Sequence, residues 1–190
     1  MADPQAAKSN IAWSRVARRI RVPMGFALAI FYFWRARPTW RFLVLGALIA
    51  LLGIVLRTAA SGQVKKNREL TMTGPYAYVR NPLYLGSIVI AIGFAVAARD
   101  LWVAIAILAM FALIYVPVIR AEETFLRKQF PAYDGYARRV PSLLPHTLLL
   151  RQIMDGFSRE LYWQHREYNA LLGAAAMLAA LAVKILWFHG

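Results

Sequence analysis

Apolar residues in this chain are concentrated in long runs separated by polar connections, and they are not spread along it in amphipathic stripes. A helix that crosses the hydrocarbon core of a bilayer needs roughly 20 apolar residues, or about 17 at the short end. Four runs are close to that length: Trp40–Leu56, Leu83–Ala98, Leu101–Ile119 and Tyr168–Phe188. The pattern therefore predicts membrane-spanning helices rather than a water-soluble core.

A fifth run, Val22–Trp34, holds 13 residues and would rise only about 20 Å as a helix. Either the bilayer thins around it while Arg35 and Arg37 extend toward water, or the segment is re-entrant or interfacial. We interpret it as a short span. The expected fold class is an all-α integral membrane protein with about five transmembrane helices and additional cytoplasmic interfacial helices.

Proline and charged residues mark the ends of the runs. Pro38 separates the first two and predicts a tight hairpin. Arg99 and Asp100 interrupt the apolar sequence, and because charges in mid-membrane are costly, they predict a turn at the outer surface. Segments 83–98 and 101–119 are then the arms of a second helical hairpin. Small residues suited to close helix packing line one side of its first arm: Gly86, Ser87, Gly93 and Ala97.

The formal net charge is +14, yet the basic residues lie in the connections between apolar runs. Cytoplasmic loops of membrane proteins carry an excess of Lys and Arg. With five spans and a cytoplasmic N-terminus, 18 of the 23 basic residues fall on the cytoplasmic side. The arrangement argues against nucleic acid as a partner, and it predicts an outer C-terminus. The remaining five are Arg35, Arg37, Arg41, Arg99 and Lys184, of which the cluster at 35–41 fits this topology poorly.

Two segments outside the spans, the first of them basic, have the amphipathic composition of helices that lie on a membrane surface. They are residues 9–21, where no cleavable signal is expected, and residues 146–163. The chain has no cysteine and its three histidines lack metal-ligand spacing, so no metal site is predicted. We expect a single domain over residues 1–190 with three parts: a basic arm at 1–21, a catalytic core at 57–145 and a C-terminal part at 146–190.

Two cytoplasmic segments remain for chemistry, 57–82 and 120–145. A hairpin whose turn lies outside returns both of its ends to the same cytoplasmic surface. The stretch TGPYAYVRNPLYLG at 73–86 is then brought beside RAEETFLRKQF at 120–130, although some 40 residues of chain separate them. The two stretches therefore can form one site.

Each stretch taken alone also has a purely structural explanation. Glu122 and Glu123 repel each other at the membrane boundary and need a cation or a hydrogen-bond donor, unless they form a solvated helix end. The tyrosines of the first stretch suit an interfacial aromatic belt. Alternatively, Arg80 and Asn81 lie at a helix start, where free backbone N–H groups and the helix dipole attract polar ligands.

Together, the two stretches resemble the signature of the membrane methyltransferase family that includes isoprenylcysteine carboxyl methyltransferase and the phospholipid (phosphatidylethanolamine) N-methyltransferases. The family's first motif is roughly L-x-x-x-G-P-Y-x-x-x-R-H-P-x-Y-x-G, and its second runs from E-E-x-x-L to V-P and a further proline. The resemblance covers about residues 50–145. The matching residues are Leu70, Gly74, Pro75, Tyr76, Arg80, Asn81, Pro82, Tyr84 and Gly86 in the first motif, and Glu122, Glu123, Leu126, Phe130, Tyr133, Tyr136, Val140, Pro141 and Pro145 in the second.

The chain departs from the family pattern at two positions. Asn81 stands where the family has a histidine, and an amide donates and accepts hydrogen bonds but does not titrate near neutral pH. Because Asn81 cannot titrate there, we assign position 81 to cofactor positioning. The second departure is Arg68, which stands where the family often has another histidine, two residues before the first motif.

The resemblance implies S-adenosylmethionine as the methyl donor, in a cytoplasm-facing pocket between the motifs, and a lipid-like or prenylated acceptor that enters from the bilayer. Arg80 and Glu123 are the implied catalytic residues, with Glu123 as base if the acceptor is an amine. Arg120 and Tyr133 are candidates for substrate contact. The implied cofactor-binding residues are Arg68, Leu70, Gly74, Tyr76, Arg80, Asn81, Pro82, Tyr84, Glu122 and Glu123.

The resemblance favours carboxyl O-methylation of an isoprenylcysteine-type acceptor, with phospholipid amine N-methylation as the alternative. Two other functions are also considered. One is a membrane reductase similar to the sterol reductases, which share an R-H-P-like motif. The other is a non-catalytic lipid-binding protein, which the replacement of histidine by Asn81 would suit. In each case the expected partners are membrane lipids.

Overall fold

The computed structural model describes residues 4–65, 69–145 and 153–188, and all regular structure in them is helical. In chain order the helices are α1 (Pro4–Arg35), α2 (Trp40–Ser61), α3 (Pro82–Ala98), α4 (Leu101–Met110), α5 (Val116–Gln129), α6 (Tyr133–Arg139), α7 (Arg159–Gln164) and α8 (Tyr168–Phe188). A 3-10 turn at Gly74–Ala77 precedes α3, and a π turn at Phe111–Tyr115 joins α4 to α5.

Within the described residues, three helical stretches are long and apolar enough to cross a membrane. They are α2, the continuous rod Leu101–Gln129 that contains the π turn, and α8 up to Trp187. Two shorter apolar helices accompany them, Val22–Arg35 within α1 and the whole of α3. The prediction of an all-α integral membrane protein is confirmed, whereas of the about five predicted transmembrane helices three reach spanning length in the described residues and two are shorter.

The most extensive helix contact in the described structure joins α2 to α3, which run antiparallel. Gly53 of α2 lies against Gly86 of α3, and Gly46 lies against Gly93. A Cβ atom at Gly53 would come within 2.6 Å of the Gly86 carbonyl oxygen. The small-residue face predicted for the first hairpin arm is therefore present, and α2 is the helix that packs on it.

The turn between α3 and α4 lies at Arg99 and Asp100, as predicted. Arg99 ends α3 in the left-handed region, at φ 52°. The Asp100 carboxylate caps α4 by accepting a hydrogen bond from the Val103 amide at 3.1 Å. The same carboxylate forms a 2.7 Å ion pair with Arg35 at the end of α1. One member of the basic cluster at 35–41 is thus neutralised by a residue distant in sequence.

The N-terminal segment differs from its prediction as a separate surface helix over 9–21. It continues without a break into the apolar part of α1, with Pro23 inside the helix. A proline within a helix removes one backbone hydrogen bond and bends the helix, but packing on either side can keep it continuous. Ile20 provides such packing against Ile114 and Val118 of the Leu101–Gln129 rod.

Among the described residues, the predicted continuous helix over 146–163 is present only at its end, over residues 159–163. Its first seven residues lie outside the described part of the chain, and the next residues form a turn in which Gly156 has φ 79°. A new helix, α7, then begins after Ser158, whose hydroxyl accepts a hydrogen bond from the Leu161 amide. A left-handed glycine followed by an N-cap serine interrupts a helix, which the amphipathic composition did not reveal.

Arg57 ties three helices together at one end of the bundle, which we call the site end. Its guanidinium forms a bidentate ion pair with Glu167, just before α8, at N–O distances of 3.0 and 3.1 Å. It also donates to the Leu83 carbonyl and the Ser87 hydroxyl of α3. The Arg57 and Glu167 side chains are only 22% and 12% exposed, so water screens this pair weakly.

Removing either partner of the Arg57–Glu167 pair is expected to destabilise the fold by about 2 to 4 kcal/mol, because the other charge stays buried without its counterion. Arg57→Met, Glu167→Gln and the double variant form a thermodynamic cycle, measured by denaturant unfolding in detergent micelles. The double variant should lose less than the sum of the single losses. Additive losses would show that the pair contributes no coupling energy.

Candidate active site

The two motif segments meet at the site end, as the sequence predicts. The backbone N–H of Arg80 donates to the Pro141 carbonyl at 2.9 Å, and the backbone N–H of Asn81 donates to the Ser142 carbonyl at 3.1 Å. Across the same contact, Arg80 Nη1 lies 3.6 Å from Glu123 Oε2. Residues that are about 40 to 60 positions apart in the chain are therefore assembled into one cluster.

Glycine and proline shape the first segment so that it reaches this cluster. Gly74 adopts φ 54°, a conformation that favours glycine, and Pro75 opens the 3-10 turn. The Tyr136 hydroxyl donates to the Tyr76 carbonyl at 2.6 Å and so ties that turn to α6. Pro82 begins α3, where a missing backbone N–H costs nothing. These constraints hold the residues just before α3 against α6 and the loop after it.

Glu123 is engaged by neighbouring side chains on both carboxylate oxygens. Its Oε1 accepts hydrogen bonds from Asn81 Nδ2 and from Ser142 Oγ, each at 2.7 Å. Its Oε2 faces the Arg80 guanidinium. A general base needs a free oxygen within reach of the proton that it removes. The geometry therefore favours Glu123 as a residue that positions others over its predicted role as base.

A cavity with an empty volume of about 830 Å³, part of it open to solvent, lies between the two segments. Sites for small molecules and cofactors are typically concave and lined by apolar side chains with a few polar groups, as this cavity is. Eight of the predicted site residues line it: Leu70, Tyr76, Arg80, Asn81, Pro82, Tyr84, Glu122 and Tyr133. The structure thus places most of the candidate residues around a single concave surface.

Four predicted site residues are not part of that lining. Glu123 lies behind it, in contact with Asn81. Gly74 is buried where a Cβ atom would collide with the Gln63 side chain, so its role is conformational. Arg120 is exposed on α5 and does not reach the cavity. Arg68 lies outside the described residues.

Glu122 presents a carboxylate to the cavity. Its Oε2 accepts a hydrogen bond from the Tyr84 hydroxyl at 2.8 Å. Glu122 takes part in none of the ion pairs formed between the side chains that the structure describes. Glu122 can therefore pair with a cationic group of a ligand.

Arg80 is one of two cations that line the cavity, with Lys65, and it is only 14% exposed whereas Lys65 is 50% exposed. Its Nη1 lies 3.4 Å from the Tyr133 hydroxyl, and its guanidinium carbon lies 5.9 Å from the centre of the Tyr133 ring. The Nε–H group is buried and has no hydrogen-bond partner. A buried donor without a partner costs about 1 to 3 kcal/mol.

Three tyrosines near the cavity keep their hydroxyl protons throughout the physiological pH range. Burial raises the pKa of Tyr76 well above its ordinary value, and the charge of Glu122 raises it further. Burial likewise raises the pKa of Tyr136 and of Tyr133, and the neighbouring Glu123 adds to the effect on Tyr133. Since an ordinary tyrosine titrates near pH 10, these hydroxyls act as donors and not as bases.

Two parts of the site were missed by the sequence analysis. Ser142 was not a candidate, although it directly follows Pro141 at the end of the second motif. Tyr136 was recognised as a motif residue but was given no role, whereas its hydroxyl holds the 3-10 turn. The only sign in the sequence that pointed to Ser142 was its place directly after the second motif. A single serine in a loop does not indicate which distant residues it will contact.

The model of the phospholipid methyltransferase family matches residues 40–132 of the chain. This range contains α2, α3 and the Leu101–Gln129 rod, and therefore Arg80, Glu122 and Glu123. No solved structure matches the chain.

Two relatives are metal-resistance proteins by name. The nickel-cobalt-cadmium resistance protein NccN of Alcaligenes xylosoxydans xylosoxydans is 35% identical over 111 residues, which cover 54% of this chain and 51% of that protein. The cobalt-zinc-cadmium resistance protein CzcN of Cupriavidus metallidurans is 36% identical over 138 residues, which cover 69% of this chain and 64% of that protein. The chain thus spans 51% and 64% of the length of these relatives. The paired motifs and the match over residues 40–132 show that this part of the chain is similar to the phospholipid methyltransferase family.

Proposed function

We propose that the chain transfers a methyl group from S-adenosylmethionine to the carboxylate of a lipid-like acceptor of the isoprenylcysteine type. The single observation that carries the proposal is that Arg80 and Glu122, a cation and an anion, line the same cavity. The family match supports methyl transfer in general. The excess of basic residues at the site end supports a cytoplasmic location for the site.

The residues at the cavity suit the charged groups of this cofactor. Arg80 would hold its carboxylate, and Glu122 would accept hydrogen bonds from its ammonium group or ribose hydroxyls. The Tyr76 and Tyr84 side chains, which line the same cavity, would pack against its adenine. When bound, the cofactor supplies an electrophilic methyl group attached to a positively charged sulfur.

The engagement of Glu123 supports a carboxylate acceptor over an amine. A carboxylate is already ionised near neutral pH and needs no base, whereas an amine must first lose a proton. Glu123 is held by Asn81, Ser142 and Arg80 and is poorly placed to accept that proton. The chain's contribution to the rate would then be orientation of the acceptor and exclusion of water.

The apolar part of the cavity supports an acceptor that arrives from the bilayer. Leu83 of α3 and Leu126 and Phe125 of α5 line the cavity on helices of membrane-spanning character. Phe125 is 49% exposed, so it faces both the cavity and the surroundings of the helix. An acceptor with a hydrocarbon chain could keep that chain in the membrane while its polar head enters the cavity.

Phospholipid amine N-methylation is the second candidate, and the description of the matching family favours it. Glu122 would then be the base, because its carboxylate faces the cavity and receives a hydrogen bond from Tyr84. The names of the two relatives suggest a physiological setting, growth in the presence of nickel, cobalt, zinc or cadmium, in which either reaction can be examined.

The proposal predicts that the purified protein transfers a labelled methyl group from the cofactor into an acidic lipid or prenylcysteine acceptor. With a carboxylate acceptor, the rate should change little between about pH 6 and 8, because such a group stays ionised there. With an amine acceptor, the rate should fall below about pH 8. Initial rates with both acceptor classes across this range distinguish the two reactions.

Saturable binding of S-adenosylhomocysteine, measured by calorimetry on protein shown to be folded, is the control for this assay. Binding without transfer to any lipid would support the non-catalytic alternative. Absence of saturable binding by folded protein would contradict the proposed function, and consumption of a nicotinamide cofactor would favour a reductase.

A further inference from the structure

Ser142 lies at the centre of the contact between the motifs, although it belongs to neither set of matching residues. Its hydroxyl donates to Glu123 Oε1 at 2.7 Å, and it lies 3.1 Å from Asn81 Nδ2. Asn81 Nδ2 donates to the same Glu123 oxygen. Two neutral donors therefore converge on one carboxylate oxygen.

The backbone of the same loop fixes the residues on the opposite side. The Pro141 and Ser142 carbonyls accept hydrogen bonds from the Arg80 and Asn81 amides. This pairing holds the main chain at 80–81 independently of the Ser142 hydroxyl. A change at the hydroxyl alone should therefore act on the Glu123 side chain and leave the pairing of the two segments intact.

The two donors on Oε1 leave the other carboxylate oxygen for Arg80. Glu123 Oε2 lies 3.6 Å from Arg80 Nη1, and the Tyr133 hydroxyl lies 3.4 Å from the same nitrogen. Glutamate and arginine side chains have many rotamers, and holding each in one costs conformational entropy. A carboxylate whose orientation is already set lowers that cost for the arginine that it faces.

We propose that Ser142 is a positioning residue which, together with Asn81, orients Glu123 and through it holds the Arg80 guanidinium at the cavity wall. The consequence for cofactor affinity rests on the proposed function, whereas the effect on Arg80 does not. In this arrangement Glu123 need not contact the cofactor or the acceptor. The Asn81 side-chain amide does not titrate, so its hydrogen bond to Glu123 does not depend on the protonation of Asn81.

The test compares Ser142→Ala with Ser142→Thr, which keeps a hydroxyl. The alanine variant should weaken S-adenosylhomocysteine binding about tenfold, the effect of losing one hydrogen bond to a charged group. The threonine variant should restore most of that affinity. In the absence of cofactor, modification of Arg80 by phenylglyoxal, followed by peptide mass spectrometry, should be faster in Ser142→Ala than in the wild type and should return toward the wild-type rate in Ser142→Thr.

Ser158→Ala is the matched control, because it also removes a serine hydroxyl that makes a local hydrogen bond, at the start of α7. It should leave both cofactor affinity and Arg80 labelling unchanged. Equal Arg80 labelling in Ser142→Ala, Ser158→Ala and the wild type would overturn the inference. If labelling is faster in Ser142→Ala alone and the wild-type protein binds no S-adenosylhomocysteine, the positioning role is upheld and the proposed function is contradicted.

Discussion

Replacing Arg80 by alanine is expected to reduce S-adenosylhomocysteine affinity by about 30- to 100-fold, or about 2 to 3 kcal/mol, and to abolish measurable methyl transfer. Arg80 is the cation of the cavity wall that is largely buried, and its Nε–H has no partner in the described structure. An anionic group bound in the cavity would accept charge-assisted hydrogen bonds from the accessible part of this guanidinium. Titration calorimetry of the two proteins measures the loss directly.

Arg80→Lys refines this prediction. Lysine keeps the charge but lacks the planar fork of donors, so it should recover only part of the affinity. Arg138→Ala serves as a control, because Arg138 is exposed on α6 and is absent from the cavity lining. Unchanged affinity in Arg80→Ala, with the fold intact, would mean that the cofactor binds elsewhere.

A side chain at Gly53 is expected to separate α2 from α3 and to destabilise the fold by about 1 to 3 kcal/mol for alanine, with a larger loss for leucine. The added Cβ would meet the Gly86 carbonyl oxygen at 2.6 Å and the backbone nitrogen of Ile90 at 2.8 Å. Backbone atoms of a packed helix cannot move aside as a flexible side chain can. Denaturant unfolding in detergent micelles gives the free energy change.

Gly173→Ala is the matched control for this prediction, because a Cβ atom at Gly173 meets nothing within 4 Å. In the middle of α8, alanine should be neutral or stabilise by up to about 1 kcal/mol through helix propensity. The two Gly→Ala changes are therefore expected to have opposite signs. A Gly53→Ala variant as stable as Gly173→Ala would show that the α2–α3 contact tolerates a wider spacing.

The α2–α3 contact also bears on the site, because α3 begins at Pro82, two residues after Arg80. Loss of this contact should therefore also impair cofactor binding.

The replacement of the family histidine by Asn81 has a structural explanation. An imidazole N–H can donate to a carboxylate, and the Asn81 amide does so toward Glu123 at 2.7 Å. The position therefore needs a donor, which either residue provides. In the sequence alone, Asn81 suited a protein that has lost activity. Its hydrogen-bond acceptor, Glu123, lies 42 residues away, so the sequence pattern did not show what the amide does.

The positive residues at the opposite end of the bundle show the same limit of sequence reasoning. The basic cluster at 35–41 fitted the predicted topology poorly when charges were simply counted. In the structure Arg35 pairs with Asp100, and Lys184 donates to the Phe33 and Trp34 carbonyls at the end of α1. A cation at a helix C-terminus is stabilised by the unpaired carbonyls there. Local counting could not supply these partners.

By itself, the sequence determined the helical membrane class, the turn at Arg99 and Asp100, and eight of the sixteen described residues around the cavity. These features follow from composition, proline and glycine positions and motif spacing, which are properties of contiguous stretches. Only the tertiary structure decided that α2 packs on the glycine face of α3, that α1 is one helix, and that Ser142 and Asn81 donate hydrogen bonds to Glu123. Such contacts join residues far apart in the chain, and the free energy of each depends on packing geometry that no local pattern records.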